Sequence, residues 1–269
     1  MLVRARAPEL EVWRDADGEI YAIGGRVGEA YWIDVPEVGT FRFGGDDSEE
    51  VIVTPLPSVA DEEILDNYQR IVLPLVLHAF GCELIHASAI VAPKGGVVAF
   101  AASTRTGKST LAYALSLRGH PIWADDAVLF QTESGSVEST PLPFTLRLRQ
   151  PSARFFDLQA RPEGESHPLF VEGNAARPFA AVCLLEQTSG VTESGPADGI
   201  ELRDAASAFP DVLAHSYCFS IKDPRRKRDM LNRYLELTEQ VPIYDIRFRP
   251  RLERVGELLD RIEQMVIPS

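Results

Sequence analysis

Residues 97–126 read VVAFAASTRTGKSTLAYALSLRGHPIWADD. The apolar run at 97–101 predicts a buried strand, and Gly107-Lys108-Ser109-Thr110 stands where a short polar loop enters a predicted helix. Such a loop attracts anions, because its free N–H groups and the positive end of the helix dipole point the same way. We therefore predict that eight consecutive residues contact a nucleotide: Ser103, Thr104, Arg105, Thr106, Gly107, Lys108, Ser109 and Thr110.

Two side chains of this loop have defined chemistry. Lys108 reaches the outer phosphates, and the Ser109 hydroxyl is a ligand for Mg²⁺. The loop has few glycines: Ala102 stands at the first glycine position, and Arg105 where a further glycine is common. Alanine fits at 102 if its φ is negative and is strained if its φ is positive. The alternative interpretation is a helix that merely begins with Gly-Lys-Ser-Thr.

An acidic pair follows the loop after one predicted helix and one predicted strand. The predicted helix at 110–118 ends at Gly119, a short apolar strand follows at 121–124, and Asp125 and Asp126 come directly after it. In a β–α–β unit, ligands gather at the carboxyl ends of the strands. Both carboxylates are therefore expected to face the loop, one holding Mg²⁺ and the other accepting a hydroxyl proton. A solvated turn or a helix cap is the alternative.

Four short motifs resemble the catalytic domain of HPr kinase/phosphorylase and its relatives: Ile85-His86-Ala87-Ser88-Ala89, the loop ending Gly107-Lys108-Ser109, Arg118-Gly119-His120 and Ala124-Asp125-Asp126. The resemblance spans residues 83–130. It implies an α/β P-loop fold of the HPr kinase and phosphoenolpyruvate carboxykinase type, with a mixed β-sheet and flanking helices.

The same resemblance implies a function and residue roles. It implies Mg²⁺-dependent transfer of the γ-phosphate of ATP or GTP to a serine hydroxyl of a protein or peptide. Asp125 matches the catalytic base of the family, and His86 matches a histidine near the reacting phosphate. Asp126 and Ser109 match residues around the metal. Lys108 is a further catalytic residue. His86 either orients Asp125 or contacts the transferring phosphoryl group.

The chain departs from the family in two places. Besides the glycine-poor loop, Arg147 takes the place of an acidic residue that the family associates with metal binding and with the reverse, phosphorylase reaction. We therefore expect no phosphorylase activity. The chain resembles divergent members, similar to lasso-peptide precursor kinases. A kinase of a small alcohol such as free serine, or an inactive nucleotide- or partner-binding relative, is the alternative.

Composition limits the partners. The 269 residues carry a formal net charge of −13, which disfavours nucleic acid and anionic membranes as partners. The three cysteines lack CxxC spacing, and neither a signal peptide nor a membrane-spanning run is evident. We predict a cytoplasmic protein, and assembly into a homo-oligomer stays open.

The rest of the chain predicts two parts. Short strands separated by turns at 1–57 predict a small antiparallel sheet, either a docking surface or an extra structural layer. Residues 58–269 are predicted to form the kinase-like domain, beginning with a helix at 58–81 that has a capping box at Ser58 and Asp61 and a kink at Pro74. Two polar stretches, about 150–178 and 187–199, predict mobile loops.

Two clusters of arginines have open roles. Arg147 and Arg149 alternate along a predicted strand at 142–148 and either bind phosphate or an acidic substrate, or are solvated. The basic run at 225–228 opens a predicted helix. It is either a solvated face or a contact for an anionic partner.

Overall fold

The computed structural model describes residues 10–15, 17–45, 50–133, 135–158, 167–168, 175–188, 199–219 and 223–267. The chain forms two compact units. The first contains Met1–Gly81 and Cys218–Lys227, and the second contains Cys82–Tyr217 and Arg228–Ser269. The first unit extends to Gly81 and so includes the helical segment that follows the N-terminal sheet.

The first unit begins with an antiparallel meander in which neighbours in sequence are neighbours in space. Its strands are β1 (Leu10–Arg14), β2 (Ile20–Val27), β3 (Ala30–Val35), β4 (Gly39–Gly44) and β5 (Ile52–Pro55). Alternation along the strands places Ala22, Ile33 and Phe41 in the interior. The predicted N-terminal antiparallel sheet is confirmed.

A helical segment follows in three parts: α1 (Asp61–Asn67), a π-helical turn (Tyr68–Val72) and α2 (Leu73–Ala79). Pro74 in the first turn of α2 cannot donate a backbone hydrogen bond, and the π-helical turn directly before it accommodates that loss. The predicted capping box is wrong. The helix begins at Asp61 after Ala60, which makes no side-chain cap, and Ser58 lies before it with a φ of +70°.

The second unit is built on a nine-stranded mixed sheet. Its strands are β6 (Glu83–Ile85), β7 (Ala87–Val91), β8 (Val97–Ala101), β9 (Ile122–Ala124), β10 (Val128–Glu133), β11 (Ser136–Ser139), β14 (Arg177–Gln187), β15 (Gly199–Arg203) and β16 (Ile243–Phe248); two further short strands, β12 (Thr145–Leu146) and β13 (His167–Pro168), pair with each other. β14 runs parallel to β8 and to β16, and the other pairings are antiparallel. The predicted mixed α/β architecture is confirmed.

Pairing within this sheet brings two strand ends together. β8 and β9 both run antiparallel to β7, which lies between them, so they are parallel to each other. Their carboxyl ends therefore reach the same edge of the sheet. Residues 83–91 form two strands separated at His86, because β6 pairs with β10 whereas β7 pairs with β8 and β9.

Helices cover the sheet of the second unit. They are α3 (Lys108–Ser116), α4 (Gln150–Phe155), α5 (Ala205–Leu213), α6 (Pro224–Gln240), which begins with residues of the first unit, and α7 (Val255–Met265), preceded by a short 3₁₀ turn (Leu252–Arg254). Phe100, Leu115, Cys183 and Ile262 belong to one apolar cluster that joins α3 and α7 to β8 and β14. Burial of each large apolar side chain contributes about 1.5–3 kcal/mol.

The stretch predicted as a mobile loop at 150–178 is partly regular. Residues 150–155 form α4, whose Pro151 lies in the first turn, where a missing N–H costs nothing. The strand predicted at 142–148 is reduced to Thr145–Leu146. Most of the predicted loop at 187–199, like residues 159–166 and 169–174, lies outside the described residues. Every helix in the described part of the chain is too short or too polar to cross a membrane.

Candidate active site

The loop between β8 and α3, residues 102–107, follows the carboxyl end of β8. Gly107 has a φ of +101° and Arg105 a φ of +74°, so two residues of the loop adopt the left-handed conformation. Ala102 is buried and is not among the residues with positive φ, so alanine is unstrained there. The strain expected of a glycine-poor loop therefore falls on Arg105.

Lys108 opens α3 with its side chain folded under the loop. Its Nζ donates to the carbonyl oxygen of Ala102 at 2.9 Å and lies 3.5 Å from that of Ser103. Burial lowers the pKa of Lys108, and the negative charges of Asp126 and Asp125 oppose that shift. Because an ammonium group has three N–H donors, one remains for a phosphate oxygen.

Side chains outside the loop hold it in place. Gln187, at the end of β14, donates from Nε2 to the carbonyl oxygen of Thr106 at 3.0 Å. Thr110 Oγ1 lies 2.9 Å from Ser152 Oγ of α4, so its side chain faces α4. Ser103, Thr104 and Arg105 have exposed side chains.

Asp125 is the most heavily bonded group of the site. Its Oδ1 accepts hydrogen bonds from Ser88 Oγ at 2.5 Å and from Ser109 Oγ at 2.8 Å, and its carboxylate also accepts the backbone N–H of Arg147. The residue is only 6% exposed. Burial, followed by the charge of Asp126, raises the pKa of Asp125 to about 6, although the three hydrogen bonds favour the ionised form.

Asp126 differs from its neighbour in exposure and backbone conformation. It is partly exposed and has a φ of +64°. Its carbonyl oxygen accepts a hydrogen bond from the Tyr217 hydroxyl at 2.9 Å. The negative charge of Asp126, followed by that of Asp125, opposes the lowering of the Lys108 pKa by burial.

His86 lies at the break between β6 and β7, beside the segment that follows α5. Its backbone N–H donates to the carbonyl oxygen of His215 at 2.7 Å, and its ring meets that of Tyr217 edge-on, with centroids 6.1 Å apart. Burial and then the charge of Lys108 lower the pKa of His215. His86, His215 and Tyr217 therefore belong to the surroundings of Lys108 and Asp126.

Sequence reasoning missed four contributors: Ser88, the N–H of Arg147, His215 and Tyr217. Ser88 stands two residues after His86 in a strand, so the alternation of a strand could have indicated it. The other three reach the site through pairing between segments far apart in sequence. No local pattern marks them.

The oxygen atoms of the site suit Mg²⁺ bound together with a nucleotide. In the part of the chain that the structure describes, no three or more His, Cys, Asp or Glu side chains form a cluster that could hold a metal alone. Ser109 donates its hydrogen to Asp125, which leaves lone pairs of its oxygen available. One hydroxyl and one or two carboxylates beside phosphate oxygens form a common Mg²⁺ environment.

The Arg118-Gly119-His120 motif, by contrast, has a structural role. Arg118 donates to Asp260 and Glu263 of α7, each at 2.7 Å, and to the carbonyl oxygen of Gly256 at 3.1 Å. His120 Nε2 lies 3.1 Å from Glu263 Oε1. The motif joins the end of α3 to α7.

Neither a protein-family profile nor a curated protein sequence matches the chain. Among solved structures, the chain is similar to the HPr(Ser) kinase/phosphatase from Coxiella burnetii, with 15% sequence identity and a TM-score of 0.36 over 68% of this chain and 96% of that chain. A TM-score of 0.36 does not establish a common fold.

Proposed function

We propose that the chain is a Mg²⁺-dependent kinase that transfers the γ-phosphate of ATP or GTP to the hydroxyl of a serine in a protein or peptide. One observation carries the proposal: Ser109, beside Lys108 at the start of α3, donates to the buried Asp125 at the end of β9 over 2.8 Å. The loop after β8 and the acidic pair after β9 therefore meet at one edge of the sheet. This proximity supports the proposal, because phosphoryl transfer depends on phosphates, metal ligands and a catalytic base held close together.

Different residues of the chain would bind the phosphates and the Mg²⁺ ion. Backbone N–H groups of residues 103–107 and the start of α3 would hold the phosphates, as at other helix N-termini. Lys108 would place its remaining N–H on an outer phosphate oxygen. Ser109, Asp125 and Asp126 would hold Mg²⁺, which neutralises charge on the phosphates and on the transferring group.

The serine acceptor rests on the family resemblance of residues 83–130. The acidic pair and the loop are equally compatible with a small alcohol, such as free serine, as the acceptor. An inactive nucleotide-binding relative is favoured by one observation only, the left-handed Arg105 in the loop.

Transfer of label from γ-labelled ATP or GTP in the presence of Mg²⁺ tests the proposal. The acceptors are peptides encoded beside this chain and free serine, and the variants are Lys108→Ala and Asp125→Asn. We expect label on one acceptor from the wild type, and at least a 100-fold loss in both variants, a size typical of removing one preorganised electrostatic contact from an active site. Arg118→Ala, which alters a motif outside the site, is the matched control and should retain transfer.

The outcomes separate the candidate functions. Label on free serine alone would make the small alcohol the acceptor. Nucleotide binding by the wild type without transfer to any acceptor would support the inactive relative. Absence of both binding and transfer would rule out the proposal.

A further inference from the structure

We propose that Gln187 is a positioning residue for phosphate binding: its side-chain amide holds the carbonyl of Thr106 and so turns the N–H of Gly107 towards the phosphates. The inference rests on the proposed kinase function, because it assigns a role at the same phosphate-binding loop. The residue lies outside that loop, 81 positions after Thr106 in the chain.

The end of β14 runs beside the loop. β14 is parallel to β8, and Leu184 lies opposite Ala101, the last residue of β8. Residues 185–187 of β14 therefore extend past the end of β8, alongside the loop that follows it. Gln187 is still paired there with Phe248 of β16, and the N–H of Thr188 donates to the carbonyl oxygen of Phe248 at 2.9 Å. The backbone that carries the amide is thus fixed by the sheet.

The side chain of Gln187 lies on the face of the sheet that α3 covers. Alternate side chains of a strand project from the same face. The preceding members of this row, Ala181, Cys183 and Leu185, belong to the apolar cluster that joins β14 to α3. Gln187 continues the row where β14 leaves the core, so an exposed polar side chain reaches the loop that leads into α3.

The hydrogen bond to the loop fixes the orientation of one peptide group. Gln187 Nε2 donates to the carbonyl oxygen of Thr106 at 3.0 Å. The described residues contain no cis peptide bond, and in a trans peptide the carbonyl and the following N–H point in opposite directions. The N–H of Gly107 is therefore turned away from β14.

The side away from β14 is the side of the acidic pair. β8 pairs with β14 on one side and with β7 on the other, and β9, which Asp125 follows directly, lies beyond β7. Among the residues that the structure describes, none accepts a hydrogen bond from the N–H of Gly107. That N–H is available to a phosphate oxygen held between the loop and Asp125.

The backbone of the loop is partly strained and depends on contacts that hold it. Arg105 has a φ of +74°, which is uncommon for residues other than glycine and persists where neighbouring contacts impose it. The N–H of Thr106 donates to the carbonyl oxygen of Ser103 at 3.3 Å, which closes a turn within the loop. The bond from Gln187 anchors this turn to the sheet. We therefore expect the loop to relax when the amide is removed.

Gln187→Met in the full-length chain tests this role, because methionine has a similar shape and no N–H donor. The Kd of a fluorescent ATP analogue with Mg²⁺ should rise about threefold or more, since the loss of one hydrogen bond corresponds to about two- to tenfold in an equilibrium constant. A smaller rise would overturn the inference.

Gln131→Met is the matched control. It makes the same change at an exposed position of β10, which β11 and β14 separate from β8 in the sheet, so the Kd should match that of the wild type. An equal rise in both variants would show that the effect is not specific to the loop, and it would overturn the inference.

Competition by inorganic tripolyphosphate separates positioning of the loop from direct contact with the nucleoside. Tripolyphosphate carries the phosphates of ATP and lacks its base and ribose. If Gln187 acts through the loop, Gln187→Met should weaken the binding of tripolyphosphate and of the ATP analogue by the same factor. Weaker binding of the ATP analogue alone would mean that the amide contacts the nucleoside, and it would overturn the positioning role.

Two measurements on the ligand-free protein distinguish positioning from a general structural role. The backbone N–H resonance of Gly107 should shift in Gln187→Met, because this N–H shares a peptide plane with the carbonyl that the amide holds. The melting temperature should match that of the wild type, because surface substitutions usually change stability little. An unshifted resonance, or weaker binding accompanied by a lower melting temperature, would overturn the positioning role.

The wild type distinguishes failure of this inference from failure of the proposed function. If the wild type binds the ATP analogue and Gln187→Met binds it equally well, only the inference is overturned. If the wild type binds neither the ATP analogue nor tripolyphosphate, the proposed function fails and the inference fails with it.

Discussion

Asp125 shows how strongly one buried carboxyl group depends on its neighbours. Three hydrogen bonds favour its charged form, yet burial and the charge of Asp126 raise its pKa to about 6. A carboxyl group with this pKa is only partly ionised in mildly acidic solution. Any function of Asp125 that requires its negative charge should therefore weaken as the pH falls through 6.

We predict that Mg²⁺-dependent nucleotide binding weakens below pH 6. One protonation with a pKa of about 6 should raise the Kd of an ATP analogue with Mg²⁺ about tenfold at pH 5 relative to pH 7.5. Ser88→Ala removes a bond that favours the ionised form, so the midpoint should move to higher pH. Titrations by fluorescence at half-unit intervals measure both effects, and binding without Mg²⁺ is the control. A pH-independent Kd would contradict the prediction.

His78 offers a second pH effect, in the first unit. The side chain is fully buried on α2, and its Nδ1 accepts the backbone N–H of Phe219 at 2.9 Å. Burial, with the charge of Arg226 second, lowers its pKa to about 3. His78 is therefore buried as a neutral imidazole.

Acidic pH should destabilise the folded chain through His78. Between about pH 6.5 and pH 3 the unfolded chain binds a proton at His78 that the folded chain does not, so the stability present above pH 6.5 is lost as the pH falls. The contribution is roughly 1 kcal/mol per pH unit in that range. His78→Asn keeps an acceptor for Phe219 but does not titrate. Urea unfolding at pH 7.5 and pH 5 should therefore show a smaller loss for the variant than for the wild type, and equal losses would contradict the prediction.

At the scale of elements, the junction of α3 and α7 depends on Arg118. Its three acceptors, Asp260, Glu263 and the carbonyl of Gly256, all belong to α7. We expect Arg118→Ala to lower the free energy of unfolding by roughly 1 kcal/mol, since these bonds are partly exposed. A double-mutant cycle with Glu263→Gln measures the pair, and a coupling energy of zero would show that Arg118 does not act through this contact.

The helices and strands also show what local sequence can and cannot predict. Alternation and turn residues correctly predicted β1 to β5, and glycine at 119 marked the end of the turn after α3. The capping box at Ser58 failed because a favourable residue spacing does not fix where a helix begins; Ser58 instead adopts a left-handed turn conformation. The helix at 150–155 was missed because its polar residues and Pro151 are typical of a loop, whereas the buried Ser152 packs against Thr110, a residue distant in sequence.

For the whole molecule, the loop and the acidic pair could be predicted because both follow strands whose ends a β–α–β unit brings together. The distant residues that surround the acidic pair could not be predicted in this way. His215 and Tyr217 reach the acidic pair through backbone pairing of residues 215–217 with residues 84–86, and pairing between distant segments depends on the complete sheet. The break at His86, for example, arises because β6 and β7 have different partners, which no pattern within residues 84–92 reveals.

The discontinuity of the first unit has a practical consequence for truncation. Phe219 returns to that unit late in the chain, where its ring contacts Trp13, Tyr31 and Phe43. A chain shortened to begin at residue 82 keeps Phe219 and removes all three of those aromatic neighbours. We expect such a fragment to aggregate during expression, as size-exclusion chromatography would show, and Phe219→Ser to increase its soluble yield. The N-terminal sheet therefore cannot be removed as a free-standing appendage by a single cut.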